Sequence, residues 1–243
     1  MLGHGYILHY APDNASLIVR LALLELGLPF QARLVDRTVR AQDSAEYRAL
    51  APTGLIPALD MGDQVMFETG AILLALADRG RSGRPAQLFP APDAPLRGDA
   101  LKWLFFIATT LHADCRLHFY PEKYAGKTPA PPDFCAATRA RLLVHIALIE
   151  GAARAQPDLF WQAGSFDGPS LLTLYTLTIT RWLRLYPEGQ ETWLDLADFP
   201  CLFALAGRLD LRESALQAAR DEGLGPRPFT APVFPNPPEG SPL

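Results

Sequence analysis

The feature that most constrains this chain is a change of texture near residue 81. Before it, strand-like and helix-like stretches alternate; from residue 96 onward every periodic stretch is helical. Residues 6–10, YILHY, read as a strand of aromatic and aliphatic residues. The turn APDN follows, and Leu17, Ile18, Leu21, Leu24 and Leu28 then mark one face of a helix. Asn14 or Ser16 is placed to cap it and Gly27 to end it. Residues 29–36 read as a second strand and 37–50 as a short helix. IPALDM and QVMF are short strands joined at Gly62-Asp63, and the stretch from Glu68 is a helix ending at Gly80. The order is βαβαββα: a parallel βαβ unit followed by an antiparallel hairpin and a helix. Residues 82–95, rich in Pro, Gly and Arg, read as a linker. Helices are expected over 96–120, 131–156, 167–186 and 199–223, the last with a break near Glu213-Ser214. The stretch 167–186 is apolar on most sides and so is the candidate central helix. The tail 225–243 carries seven prolines and cannot be helical; it is either a mobile extension or a strap laid over the surface.

A chain of 243 residues can bury a sizeable core without a metal or disulfide staple. Its net charge of −4 gives no footprint for nucleic acid or an anionic membrane. The cysteines are Cys115, Cys135 and Cys201. They are odd in number and far apart, so reduced thiols are expected rather than a disulfide framework. MLGHGYILHY lacks the basic start, apolar stretch and cleavage site of a leader, and no stretch reaches the length of a membrane span. The expectation is a soluble cytoplasmic protein.

Three local patterns in register within the first 80 residues resemble the glutathione S-transferase family of the cytosolic, bacterial type. YAPDNASLIVRLALLELGLPF (10–30) is similar to the family's first strand-turn-helix with its "xALxExGLPF" ending. APTGLIPAL (51–59) is similar to "NPxGxVPxL", and FETGAILLAL (67–76) to "ExSxAIxxYL". In the second half GSFDGPSLLTLY stands where the family has "G…FSxADxxL", with Ser170 at the N-cap but Thr173 in place of the usual Asp. PCLFALAGRLDLRESALQ resembles a late helix pair, without its Trp and Pro. The resemblance implies an α/β thioredoxin-like N-terminal domain (1–81), the linker (82–95), an all-α C-terminal domain (96–224) and the Pro-rich tail (225–243).

It also implies a glutathione site. Ile56-Pro57 would be the cis turn whose exposed Ile56 backbone pairs with the cysteinyl unit of glutathione. Thr69, at a helix N-terminus, would hold the γ-glutamyl carboxylate and Glu68 the neighbouring ammonium. Arg37, Arg40, Gln42 and Arg48 lie where the glycine carboxylate needs a cation. A free thiol has a pKa near 8.5. Making a thiolate at neutral pH therefore needs a hydrogen-bond donor beside the sulfur, close to the first helix N-terminus. Ser16, Asn14 and Tyr10 are the candidates. Ala15 stands where some bacterial members have a cysteine, so a mixed disulfide there is excluded. His112, Cys115 and His118 lie at i, i+3, i+6, but without a fourth ligand they do not make a zinc motif; no metal is expected. The aromatics of 103–120 would line the electrophile pocket or fill the core.

The function that follows is transfer of glutathione to a small hydrophobic electrophile, or its use as a reductant, with detoxification as the setting and a homodimer as the expected assembly. The competing reading is a non-catalytic binding or scaffold protein that keeps the fold.

Overall fold

The structure is a computed structural model that describes residues 5–79, 87–163, 166–189 and 192–242. The helix stop at Gly80, the start of the linker at 82–86, and Gly164 and Ser165 of the GSFDG stretch lie outside the described residues.

The first half runs β1 (Tyr6–Tyr10), α1 (Ser16–Glu25), β2 (Phe30–Leu34), α2 (Ala45–Leu50), β3 (Ala58–Asp60), β4 (Val65–Phe67) and α3 (Thr69–Arg79). The sheet order is β2-β1-β3-β4. β1 is parallel to β2, with Leu8 opposite Ala32, and antiparallel to β3, with Leu8 opposite Leu59. Leu8 and Leu59 are fully buried and share one core with Leu17 and Leu21 of α1 and Ile72 and Leu76 of α3.

Helix α1 departs from the one-faced reading: Ser16 through Leu23 are all buried. It contacts α3 and, in the second half, the helices over Leu171–Leu185 and Glu213–Glu222. Its apolar character is that of a shared wall between the two halves. Neither expected cap is used. Ala15 is the N-cap without a side-chain bond, Asn14 Oδ1 accepts from the adjacent Ala15 N–H, and the Ser16 hydroxyl turns back to the Ala11 carbonyl. Ser16 falls at the first helical position, one residue past the N-cap, so its hydroxyl bonds the preceding turn instead. The stop at Gly27 has a specific cause. Gly27 takes φ +59°, its N–H bonds Leu24, and the Leu28 N–H bonds Leu23. This is a Schellman closure, which favours a residue without Cβ.

The second half is α4 (Arg97–Phe106), a π-turn at Ile107–Leu111, α5 (His112–Phe119), α6 (Pro121–Ala125), α7 (Pro132–Ala155), α8 (Pro157–Phe160), the two-residue strands β5 (Trp161–Gln162) and β6 (Gly168–Pro169), α9 (Leu171–Leu185), α10 (Pro200–Asp210) and α11 (Glu213–Glu222). The single helix expected over 96–120 is thus interrupted. The wider π-turn resets the angle at which α5 presents its side chains, a device common beside functional sites. Helix α9 is the central one, buried from Leu171 through Leu183. Thr173 explains the missing Asp: Ser170 caps the Thr173 N–H, while the Thr173 hydroxyl donates to the Phe160 carbonyl. The N3 side chain ties α9 to α8 instead of closing a capping box. No helix among the described residues is long and apolar enough to cross a membrane.

The tail is a strap. Asp210 accepts from the N–H groups of Phe229 and Thr230, at 2.9 Å each. Arg184 donates to the Phe229 and Thr230 carbonyls, and Arg181 to those of Pro228 and Val233. The Asn236 N–H bonds the Gly223 carbonyl, and Glu239 reaches Tyr10 on β1. The strap therefore runs from the end of α11 back to the sheet.

Candidate functional site

A cavity of about 580 Å³ opens between the two halves, a size typical of small-molecule sites. One wall is the turn after β1, the segment before β3 and the start of α3. The other is α5, the inner side of α9 and the residues that follow it.

The Ile56–Pro57 peptide is cis, and both residues line the cavity. Among the described residues no hydrogen bond engages the Ile56 N–H. The turn leading to it depends on Gly54, at φ +67°, where a Cβ would lie 3.0 Å from the Gln42 carbonyl oxygen. Glu68 is exposed, has φ +71°, and immediately precedes α3. Thr69, buried at the first position of that helix, lines the cavity with it. The first N–H groups of α3 thus face the space between the halves, where an anion is favoured.

The basic segment contributes Arg37, Arg40, Gln42 and Arg48 to the same rim. Arg40 and Arg48 both pair with Asp43, which holds that carboxyl below its usual range through its hydrogen bonds to the two guanidiniums. Arg37 donates to the Pro242 carbonyl at the end of the strap.

The three candidate thiolate donors part company. Tyr10 is buried, and its hydroxyl donates to Glu239 of the strap at 2.5 Å. Burial, and then that carboxylate, push its pKa far up. Ser16 is fully buried; its hydroxyl donates to the Ala11 carbonyl and accepts from the Ala11 N–H. Neither lines the cavity, whereas Asn14 does. Among the described residues its Oδ1 accepts from Ala15, and its amide nitrogen has no protein partner.

The turn that presents Asn14 is held from beneath. Asp13, at φ +47°, has a fully buried carboxylate that accepts from Arg181 Nε (2.9 Å) and Nη2 (3.1 Å), Trp182 Nε1 (2.9 Å) and the Tyr186 hydroxyl (2.9 Å). The Asp13 N–H donates to buried Glu222, which also accepts from Arg20. Burial raises the Glu222 carboxyl to about 7, with Arg20 opposing that rise.

On the helical wall the sequence points to the aromatics of 103–120 and to His112, and His112, Phe119 and Tyr120 do line the cavity; Tyr175 and the Asp13–Arg181 cluster are the groups it passes over. His112 is separated from Cys115 and His118 by environment. His112 Nδ1 lies 2.9 Å from the Tyr175 hydroxyl, which has Thr69 on its other side. Cys115 is wholly buried, and the ring of His118 stacks edge-on against Trp193. Burial, with Arg116 adding to it, lowers His112 to about 4, so the imidazole in the cavity is neutral at pH 7. A polar residue one turn beyond the apolar IAT stretch was the available signal for His112. The buried Arg181 within the otherwise apolar α9 was the signal for the Asp13 cluster. Among the described residues no group of three or more His, Cys, Asp or Glu side chains is gathered as for a metal.

Residues 15–79 match the family described as glutathione S-transferase, N-terminal domain. Glutathione S-transferase GstA of Escherichia coli is 29% identical over 189 residues, which cover 76% of this chain and 87% of that protein. Among solved structures, a ternary complex of BphK, a bacterial GST, aligns with a TM-score of 0.71 at 27% identity, covering 90% of this chain and all of that one. A sphingomonad glutathione S-transferase complexed with glutathione aligns with a TM-score of 0.70 at 25% identity and the same coverage.

Proposed function

This chain belongs to the glutathione S-transferase family, and we propose that it is a transferase that conjugates glutathione to a small hydrophobic electrophile or uses it as a reductant. In this reading residues 1–81 form the glutathione-binding domain and 96–224 the helical domain. The tripeptide lies along the first wall. Its cysteinyl backbone pairs with Ile56 beside cis-Pro57, its γ-glutamyl carboxylate rests on the α3 N-terminus at Thr69, and its ammonium meets Glu68. The glycine carboxylate reaches the Arg37, Arg40, Gln42 and Arg48 rim. The chain would act as a cytoplasmic homodimer.

The observation that carries the reading is that Asn14, alone of the three donor candidates, faces the cavity with an uncommitted N–H₂ group. It stands one residue before the N-cap of α1, so the amide donor and the positive helix end act on the same sulfur and favour its anion. With an aryl halide, the thiol proton leaves to water. The sulfur lone pair then forms the C–S bond, the C–halogen bond breaks, and halide departs with its electron pair.

The test is the pH dependence of kcat/KM with an aryl chloride. Asn14→Ala should move the half-maximal pH up toward the free-thiol value of about 8.5; Ser16→Ala and Tyr10→Phe should leave it in place. The assignment to Asn14 fails if its removal does not move the midpoint. Glutathione binding without turnover of an aryl halide or a hydroperoxide would instead favour the non-catalytic binding role.

A further inference from the structure

The glutathione wall and the helical wall of the cavity differ in how their cations are used. On the first wall Arg40 and Arg48 share the single carboxylate of Asp43, and Arg37 donates to a carbonyl and to the Tyr120 hydroxyl. On the second wall Arg116 projects from α5 one helical turn beyond His112, on the same face. Its Nε donates to the Tyr124 hydroxyl at 3.0 Å, which fixes the plane of the guanidinium. Neither Nη1 nor Nη2 has a protein partner among the described residues, and no carboxylate pairs with it. Asp114, on the same helix, is committed to Arg141 and His145. Lys123 adds a second cation to this wall and Glu188 one anion, so the charged lining residues of the helical wall sum to a net positive charge. The same cavity is lined by aromatic rings: those of His112 and Trp182 pack 5.8 Å apart, and Trp182 and Tyr186 are held by hydrogen bonds to Asp13.

A guanidinium in the cavity wall whose Nε is held by Tyr124 and whose Nη1–Nη2 edge is free matches a planar carboxylate. We propose that Arg116 is a specificity residue and that the electrophile of this enzyme is an aromatic acid, its ring on the His112–Trp182 surface and its carboxylate on Arg116. This rests on the glutathione reading above, which places the sulfur by Asn14. A neutral aromatic fits the cavity but leaves the Arg116 fork unpaired, so the preference for the acid follows from charge and geometry rather than from size.

The experiment compares 4-chloro-3,5-dinitrobenzoate with its neutral carboxamide, and the two corresponding glutathione conjugates as ligands in calorimetry. The full-length protein should prefer the benzoate in kcat/KM, and the carboxylate conjugate in Kd, by about tenfold or more, a factor equivalent to ~1.4 kcal/mol. Arg116→Gln should collapse both ratios to near one, and Arg116→Lys, which keeps the charge without the fork, should restore part of them. Ratios near one in the unmodified protein, or ratios that Arg116→Gln leaves standing, overturn the inference while leaving glutathione binding intact. If neither conjugate nor glutathione itself binds, the glutathione reading falls and this inference falls with it. The calorimetric arm decides the case even if neither aryl chloride turns over.

Discussion

Replacing Arg181 with Met tests whether one buried ion pair joins the turn that carries Asn14, the central helix and the strap. Arg181 and Asp13 side chains are both fully buried and meet at 2.9 Å. The substitution keeps most of the side-chain volume but removes two charge-assisted hydrogen bonds from Asp13 and the donors to the Pro228 and Val233 carbonyls. Asp13 retains Trp182 and Tyr186 as donors, yet its charge stays in a dry site with no counter-charge in contact. Removing one partner of such a pair costs about 3–5 kcal/mol, and the buried Pro228 carbonyl left without a donor adds about 1–3 kcal/mol. For a chain of this length the lower figures together, about 4 kcal/mol, correspond to a fall in Tm of roughly 8–16 °C. Urea unfolding of the wild type, Arg181→Met, Asp13→Asn and the double variant closes the cycle. The double variant should lose less than the sum of the singles, with a coupling of about 1–3 kcal/mol. A loss below about 1 kcal/mol for Arg181→Met, or strict additivity, would refute the reasoning.

Two further outcomes follow from the same packing. The His112 ring should titrate near pH 4 by NMR. Because that folded value lies below the unfolded one, the folded state binds fewer protons between about pH 6.5 and 4. Stability should therefore fall as pH drops through that window and level off beneath it, and His112→Gln should flatten the slope; a midpoint near 6.5 contradicts this. Gly223 has φ +65°, and a Cβ there would sit 2.0 Å from the Asn236 carbonyl oxygen. Gly223→Ala should lift the strap, read as faster proteolysis and amide exchange beyond residue 224; an unchanged rate would show that the strap does not depend on that approach.

What the sequence made legible was local. The β1–α1 turn, the GLIPAL turn and the α3 start are each written in adjacent residues, and turn geometry follows from Gly54, Pro57 and Gly27 with little help from the rest of the fold. The choice among Tyr10, Asn14 and Ser16 was not legible, because it is made by distant partners. Glu239 takes the Tyr10 hydroxyl from 229 positions away, and α9 and α11 bury the start of α1 together with Ser16. The strap was equally hidden. Seven prolines exclude a helix but say nothing of a destination, which is set by Arg181, Arg184 and Asp210, charged side chains within otherwise packed helices. The interruption at Ile107–Leu111 left no mark either, since a π-turn needs no residue that an α-helix forbids.

Thermal unfolding with and without the tripeptide decides whether the cavity between the two halves holds glutathione. At a hundredfold excess over Kd, binding to the folded state adds about 2.7 kcal/mol, which for this chain length raises Tm by roughly 5–11 °C. That rise is the expected result, reduced in a variant with Glu68→Gln and Thr69→Val. An unchanged Tm at about 10 mM glutathione, a concentration that would exceed any Kd below ~0.1 mM by that factor, would contradict it.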